Sequence, residues 1–199
     1  MSGIRFNETM EGGFVLGETD PETGAKKGQA TGEHLALHGT IAVDDIDRFI
    51  ADPNHLAELS GTIDFTPWGE GIPADSGVFN LFKPTDNSAL KLMVYEMAIT
   101  HRGKPYYLAG RKTVRDDSIL ELWPQTTTLY TQLHEGEDKS GLVVGSGVLT
   151  IGVKRLIKLV STFEATDANS PAAKTEAISK FGKFFLGELW DSYVRHAPC

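Results

Sequence analysis

Central to the sequence is the segment Leu90-Lys91-Leu92-Met93-Val94-Tyr95-Glu96-Met97-Ala98-Ile99-Thr100. Its β-branched and aromatic content favours a β-strand, in which successive side chains face opposite sides. Both faces are largely apolar, so the sequence predicts a strand that is covered on both sides, with Tyr95 and Glu96 on opposite faces. A buried glutamate must be paired, hydrogen-bonded or protonated, which makes Glu96 the best local indication of a site.

Strand patterns recur along the rest of the chain at the spacing typical of a β-sandwich or barrel. They are expected at Met10–Gly17, Leu35–Val43, Leu59–Phe65, Gly77–Phe82, Leu90–Thr100, Tyr106–Val114, Thr126–His134 and Leu142–Ile151. The polar, glycine-rich residues 18–32 predict a long loop. Asp44 or Asp45 can cap a short helix from Ile46 to Ala51.

The C-terminal part has the pattern of a helix. Ser170 and Pro171 form a typical helix start, and apolar residues including Phe181 and Phe185 follow at helical spacing. We therefore expect a mainly β fold, an antiparallel, calycin-like β-barrel of roughly eight strands over residues 1–165. Residues 166–199 would be a linker and a helix packed outside the barrel, covering the outer face of the central strand. Binding of the aromatic stripe to another protein is the alternative.

Composition excludes several classes of protein. The 199 residues carry a net charge of −8, which argues against a nucleic-acid surface or an anionic membrane surface. There is no apolar stretch of the roughly 20 residues that a membrane span needs, and no signal peptide is visible at the N-terminus. Cys199 is the one cysteine, so an internal disulfide is not possible. A soluble, cytoplasmic protein is expected.

Motifs for cofactors and for nucleophilic catalysis are not found. The sequence contains no Gly-x-Ser-x-Gly elbow, no P-loop and no Gly-x-Gly-x-x-Gly fingerprint. His34 and His38 are four residues apart, but on a strand their Cα atoms would lie roughly 13 Å apart, too far for one metal ion. No metal and no cofactor is therefore predicted.

Polar residues that alternate along two strands form the candidate binding site. On one strand they are Thr126, Thr128, Tyr130, Gln132 and His134, and on an earlier strand the residue is His38. If the sheet closes, they can line a lumen with room for one small ligand, and otherwise they are solvent surface. Glu96 or Tyr95 would then act as acid or base, with Glu96 as the catalytic residue. A structural pair of Glu96 with Arg111 or Lys112 is the other interpretation.

Three phrases of the sequence together carry a resemblance to a protein family. They are Phe6-Asn7-Glu8-Thr9-Met10-Glu11-Gly12, Trp123-Pro124-Gln125-Thr126-Thr127-Thr128-Leu129-Tyr130 and Phe181-Gly182-Lys183-Phe184-Phe185-Leu186-Gly187-Glu188-Leu189-Trp190-Asp191. In them the chain resembles the module attached to cholesterol-oxidase-like GMC oxidoreductases and α/β-hydrolases in large bacterial proteins. The resemblance implies a context of sterol-like or other apolar metabolites and carries over no catalytic residues.

The leading functional hypothesis is that the barrel binds an apolar small molecule (sterol-, terpenoid- or polyketide-like). It would isomerise or cyclise this ligand without a cofactor, with Glu96 transferring the proton and other polar residues orienting the ligand. Two alternatives stay open: a non-catalytic carrier or accessory module of an oxidoreductase, and an interaction protein that docks a partner enzyme through its Phe-rich helix. A homodimer through an uncovered sheet edge is also compatible with the sequence.

Overall fold

A computed structural model describes residues 2–87, 90–115, 127–152, 159 and 161–193. Within them, the elements in chain order are β1 (Gly3–Leu16), α1 (Pro21–Thr31), β2 (His34–Val43), α2 (Ile46–Ala51), β3 (Leu56–Phe65), β4 (Gly69–Pro84), β5 (Leu90–His101), β6 (Lys104–Arg115), β7 (Thr128–Glu135), β8 (Val143–Thr150), β9 (Glu164–Thr166) and α3 (Pro171–Tyr193). Thr126 and Cys199 lie outside the described residues. None of the helices in this part of the chain has the length and apolar character that crossing a membrane requires.

The first eight strands form a closed antiparallel barrel. Their order is β2-β3-β4-β5-β6-β7-β8-β1, and β1 closes the ring by pairing with β2 from Ile4 opposite Val43 to Gly13 opposite His34. Strand β9 adds to the first residues of β1, while β8 pairs with the later part of the same strand. The predicted eight-stranded antiparallel barrel is therefore confirmed, and in the described residues the free edge of the sheet is that of the three-residue β9.

Side chains fill the interior of the barrel. The buried residues that alternate along its strands include Phe6, Met10, Phe14, Leu35, Leu37, Ile41, Leu59, Ile63, Phe65, Phe79, Met93, Met97, Ile99, Leu108, Leu129, Leu133 and Leu149. Their contacts span the lumen, as between the rings of Phe6 on β1 and Phe79 on β4, whose centroids are 6.4 Å apart. The interior that the sequence led us to expect as a ligand site is thus occupied by the apolar core.

Helix α1 lies in the polar, glycine-rich segment that was predicted to be a loop, and that prediction was wrong. Asp20 caps the helix, because its Oδ1 accepts a hydrogen bond of 2.9 Å from the backbone N–H of Thr23. Gly24 and Gly28 are buried where the helix meets the barrel, and a Cβ at Gly28 would lie 2.4 Å from the backbone N of Phe14. The glycines permit a close helix–sheet contact.

Helix α3 lies outside the barrel and packs on α2, β1 and β9. Phe181 and Phe185 are buried, and the ring of Phe181 lies 5.7 Å from that of Phe6 and 5.9 Å from that of Phe49. The aromatic stripe is therefore used within the chain, as predicted. Its position differs from the expected one, because the helix covers the α2 and β1 side of the barrel and the outer face of β5 forms the floor of a groove.

Candidate functional site

A groove of about 970 Å³ lies on the outer surface of the barrel, over strands β4 to β7. Outward-facing side chains of the four strands make its floor, and the antiparallel pairings place them in rows that run across the strands. Adjacent members of a row lie on strands roughly 4.8 Å apart. The volume falls within the range of sites that hold small molecules.

Two complete rows and part of a third define the floor. The first row consists of Asn80, Val94, Arg111 and Tyr130, and the second of Val78, Glu96, Ala109 and Gln132. The third includes Lys83, Leu92 and Thr113. Leu92 and Val94 are adjacent on the outer face of β5, and Val78 on β4 and Ala109 on β6 lie diagonal to Val94, on either side of Glu96. These four side chains form an apolar strip, with polar and charged side chains between and around them.

The walls of the groove come from two loops that hydrogen bonds hold against the sheet. On the β7 side, Gln132 Nε2 donates to the Thr19 carbonyl oxygen at 2.8 Å. On the β4 side, Asn80 Nδ2 donates to the Asn54 carbonyl oxygen at 3.1 Å. Both bonds connect the side chain of a floor residue to the backbone of a loop, so they hold the two walls against the floor.

Two large apolar side chains at the borders of the groove are exposed to solvent. Leu56 is 55% exposed and Tyr130 is 40% exposed, and both line the groove. Exposed apolar side chains in a concave surface are typical of a place where another molecule binds. The two borders therefore add apolar surface, with Asn80 between Leu56 and Val94 and with Arg111 between Val94 and Tyr130.

Glu96 belongs to a hydrogen-bonded group at one end of the groove. Its Oε1 accepts from Lys139 Nζ at 2.9 Å, and its Oε2 accepts from the Tyr107 hydroxyl at 2.9 Å. Burial and the hydrogen bond to Glu96 raise the pKa of Tyr107 to about 12, so the phenol remains a donor at neutral pH. Glu96 is thus paired with Lys139 of the β7–β8 loop, and not with Arg111 or Lys112, the partners that the alternative interpretation named.

His134 lies beside this group. It is opposite Tyr107 in the pairing of β6 and β7, and its ring lines the groove. Its Nδ1 donates to the Gly141 carbonyl oxygen at 3.0 Å, because a carbonyl oxygen can only accept. In the neutral ring, Nε2 is therefore an acceptor.

Two cations of the groove have no partner within the described part of the chain. Neither Arg111 nor Lys83 has an ion pair or a side-chain hydrogen bond there, whereas Lys139 is paired with Glu96. A β-bulge after Asn80 shifts the alternation of β4, so that Lys83 lines the groove. The groove thus presents two free cationic donors beside its apolar strip.

The structure brings four of the predicted site residues together. Glu96, Tyr130, Gln132 and His134 all line the groove, on the outside of the barrel instead of in its lumen. Thr128 is half-buried on β7 and is not among the lining residues. The alternation of the strands therefore predicted which residues share a face, whereas the side of the sheet on which the recess forms was predicted wrongly.

Two predicted residues lie elsewhere. His38 is on β2, where its Nε2 is 2.9 Å from Asp64 Oδ2 and its Nδ1 is 3.2 Å from Thr9 Oγ1. The backbone N–H of Gly71 and the His38 ring both donate to Asp64, and they lower the pKa of that carboxyl. Tyr95 points into the barrel. Neither His38 nor Tyr95 lines the groove.

Tyr95 is part of a buried polar network in the barrel interior. Its hydroxyl donates to Glu8 Oε2 at 2.8 Å, and Lys112 Nζ donates to Glu8 Oε1 and to the Tyr95 hydroxyl oxygen, each at 3.2 Å. Burial, followed by the nearby Glu8 carboxylate, holds the pKa of Tyr95 well above its usual range. In the described residues no buried side-chain nitrogen or oxygen lacks a partner, so the network is fully satisfied.

Sequence reasoning missed Glu8 and Lys112 as members of a site. The signal was present in the alternation of β1, because Glu8 shares the inner face with Ile4, Phe6 and Met10 once the strand is taken to begin at Gly3. Lys112 likewise falls on an inward position of β6, opposite Met93.

Comparison of the chain with protein families, curated proteins and solved structures finds no match. The resemblance to the module of GMC oxidoreductases therefore stays a prediction. The functional assignment depends on the geometry of the groove.

Proposed function

We propose that this protein binds a small amphipathic molecule in the outer groove, and that binding is its primary function. The apolar strip in the floor carries the proposal. Its side chains lie on adjacent strands in a concave surface, and the exposed Leu56 and Tyr130 add apolar area at the borders of the groove. A ligand that covers this surface would remove apolar area from water, which is the main source of affinity for such sites.

The contacts of Glu96 favour binding over catalysis. Each of its carboxylate oxygens already accepts a hydrogen bond, from Lys139 and from Tyr107. A general base needs a lone pair directed at the proton that it abstracts. In this arrangement the Glu96 carboxylate instead holds Lys139 at the end of the groove, and the hydrogen bond from Tyr107 holds the carboxylate in place.

A cofactor-independent isomerase or cyclase is the second candidate function. The observation in its favour is the position of Glu96 in the same row as Val78 and Ala109 of the apolar floor. A ligand that displaced Lys139 would expose a carboxylate to its own acidic C–H groups. In that case Glu96→Gln would abolish turnover and retain binding, whereas unchanged turnover would remove Glu96 from the mechanism.

The resemblance to the GMC oxidoreductase module supports a particular ligand class within the binding proposal. It implies sterol-like or other apolar metabolites, and it would make the protein a carrier or accessory module of an oxidoreductase. Mass spectrometry of apolar metabolites that co-purify with the protein would identify the natural ligand.

Binding of the uncharged fluorophore N-phenylnaphthylamine tests the proposal directly, because its emission rises in apolar sites. The wild-type protein should bind it with saturation, and Val94→Glu, which places a charge in the floor, should weaken binding by at least about tenfold. Leu142→Glu is the matched control, because Leu142 is 77% exposed and does not line the groove. Equal binding by all three proteins, or no saturable binding by any of them, would refute the proposal.

A further inference from the structure

We infer that the groove selects an amphipathic anion, with Arg111 and Lys83 binding the acidic group of the ligand and the apolar strip binding its body. The inference rests on the proposed binding function and names the ligand class for the same site. Carboxylate, sulfate and sulfonate groups share the required chemistry, which is a compact anion that accepts several hydrogen bonds.

The unequal satisfaction of charges in the groove supports this inference. Glu96 accepts from Lys139 and Tyr107, and Asp20 and Asp52 accept backbone N–H bonds at the ends of the two wall loops. By contrast, Arg111 and Lys83 have no hydrogen-bonded or ion-paired partner among the described residues. Glu22, on the α1 wall, is likewise without a partner among the described residues, so it is in the floor that the unused capacity lies on donors. An anion is the group that these donors recognise.

The strand register places the two cations around one part of the floor. Arg111 lies opposite Val94 of β5, and Lys83 lies opposite Leu92, two residues away on the same face of β5. Their strands are two spacings apart, roughly 10 Å, which two long side chains can close from opposite sides. The planar guanidinium of Arg111 can bind an acidic group through two parallel hydrogen bonds, while the ammonium of Lys83 adds a point charge.

The opposite end of the strip gives the ligand a direction. The Glu96 carboxylate lies two residues along β5 from Val94, about 7 Å, and would repel a second anionic group. A ligand with one acidic group fits with that group at Arg111 and its apolar part on Val94 and Leu92, away from Glu96. The charge pattern of the groove thus favours a monoanion over a neutral molecule or a dianion with acids at both ends.

A matched pair of fluorophores distinguishes failure of this inference from failure of the proposed function. Anilinonaphthalene sulfonate is N-phenylnaphthylamine with an added sulfonate group, so the two probes differ in one anion. The wild-type protein should bind the sulfonate at least about tenfold more tightly than the neutral probe at low salt, and less so at high salt. Arg111→Gln should remove most of this preference, measured as the ratio of the two affinities, and Lys83→Gln should remove part of it.

Each outcome has one interpretation. Equal binding of both probes by the wild-type protein, or a sulfonate preference that survives Arg111→Gln and Lys83→Gln together, would overturn the inference and leave the binding function intact. No saturable binding of either probe would overturn both. Lys104→Gln is the matched control, because Lys104 is exposed and does not line the groove, and its loss should leave both affinities unchanged.

Discussion

Lys112 Nζ lies 3.2 Å from Glu8 Oε1 inside the barrel, although the strands that carry them, β6 and β1, are not neighbours in the sheet. The side chains are 1% and 6% exposed, and the Tyr95 hydroxyl bonds to both. The pair therefore joins opposite walls of the barrel through a polar contact within an apolar core. Its two charges depend on each other, because burial shields both of them from bulk solvent and an unpaired buried charge is costly.

Removal of either charge of this pair should destabilise the fold strongly. Lys112→Met should lower the free energy of unfolding by about 3–5 kcal/mol, because it leaves the Glu8 carboxylate buried without its cation. Combining it with Glu8→Gln should restore part of the loss. Urea unfolding of the two single variants and the double variant measures the coupling, and additive losses would contradict the interpretation of the pair as one unit.

The alkaline titration of Tyr107 gives a second prediction. The pKa of Tyr107 is raised from the ordinary value of 10.0 to about 12 by burial and by Glu96, so the fold favours the neutral phenol. The stabilisation from this group is therefore complete below pH 10 and is lost as the pH rises through 12. In a titration that follows tyrosinate absorbance, Tyr107→Phe should remove the increase in absorbance that the wild type shows near pH 12.

Glu96→Gln should move the same step to lower pH, because the neutral amide no longer opposes formation of the phenolate. The contrary result is that Tyr107→Phe removes absorbance only near pH 10, the ordinary pKa of tyrosine. Tyr107 would then titrate normally, and its hydrogen bond to Glu96 would not be present in solution.

Packing of helix α1 provides a third prediction. Gly28→Ala should destabilise the protein by about 1–3 kcal/mol, even though alanine is the better helix former by about 1 kcal/mol. The added Cβ would meet the backbone N of Phe14 at 2.4 Å and the Glu33 carbonyl oxygen at 2.7 Å. Gln29→Ala, on an exposed face of the helix, is the control and should not destabilise. Thermal unfolding of both variants checks the comparison, and a stabilised Gly28→Ala would argue against close docking.

Helix α3 should depend on Phe181. Its ring is fully buried against Phe6, Phe49 and Phe163, so Phe181→Ala should reduce the free energy of unfolding by about 3–5 kcal/mol. Lys183→Ala, at an exposed position of the same helix, should change it by less than about 0.5 kcal/mol. Denaturant unfolding of the two variants is the measurement. Similar stabilities would mean that the helix is not docked in solution.

Local sequence signals predicted most of the strands and which side chains of a strand share a face. The short helix α2 begins at Ile46 as expected, and Asp45, one of the two expected capping residues, accepts at Oδ1 from the backbone N–H groups of Asp47 and Arg48. The alternation of β5 correctly separated Tyr95 from Glu96. Such signals depend on one strand or one turn at a time, and a single sequence contains them in full.

Features that depend on tertiary packing were predicted less well. Nothing local to Gly24 and Gly28 shows that a sheet lies against them, so their segment was assigned to a loop. We expected the ligand site inside the barrel. Residue alternation separates the two faces of a strand, but it does not show which face lines the interior or whether side chains fill that interior. The partner of Glu96 was sought across the hairpin, whereas Lys139 reaches it from a loop 43 positions further along the chain.

The pairings of β1 have a consequence for how the chain folds. This strand pairs with β2, which follows shortly after it, but also with β8 near Thr150 and with β9 near Thr166. The ring can therefore close only after most of the chain has left the ribosome, and early intermediates present β1 with one side unpaired. Such long-range pairing predicts slow folding and a need for protection of the nascent first strand.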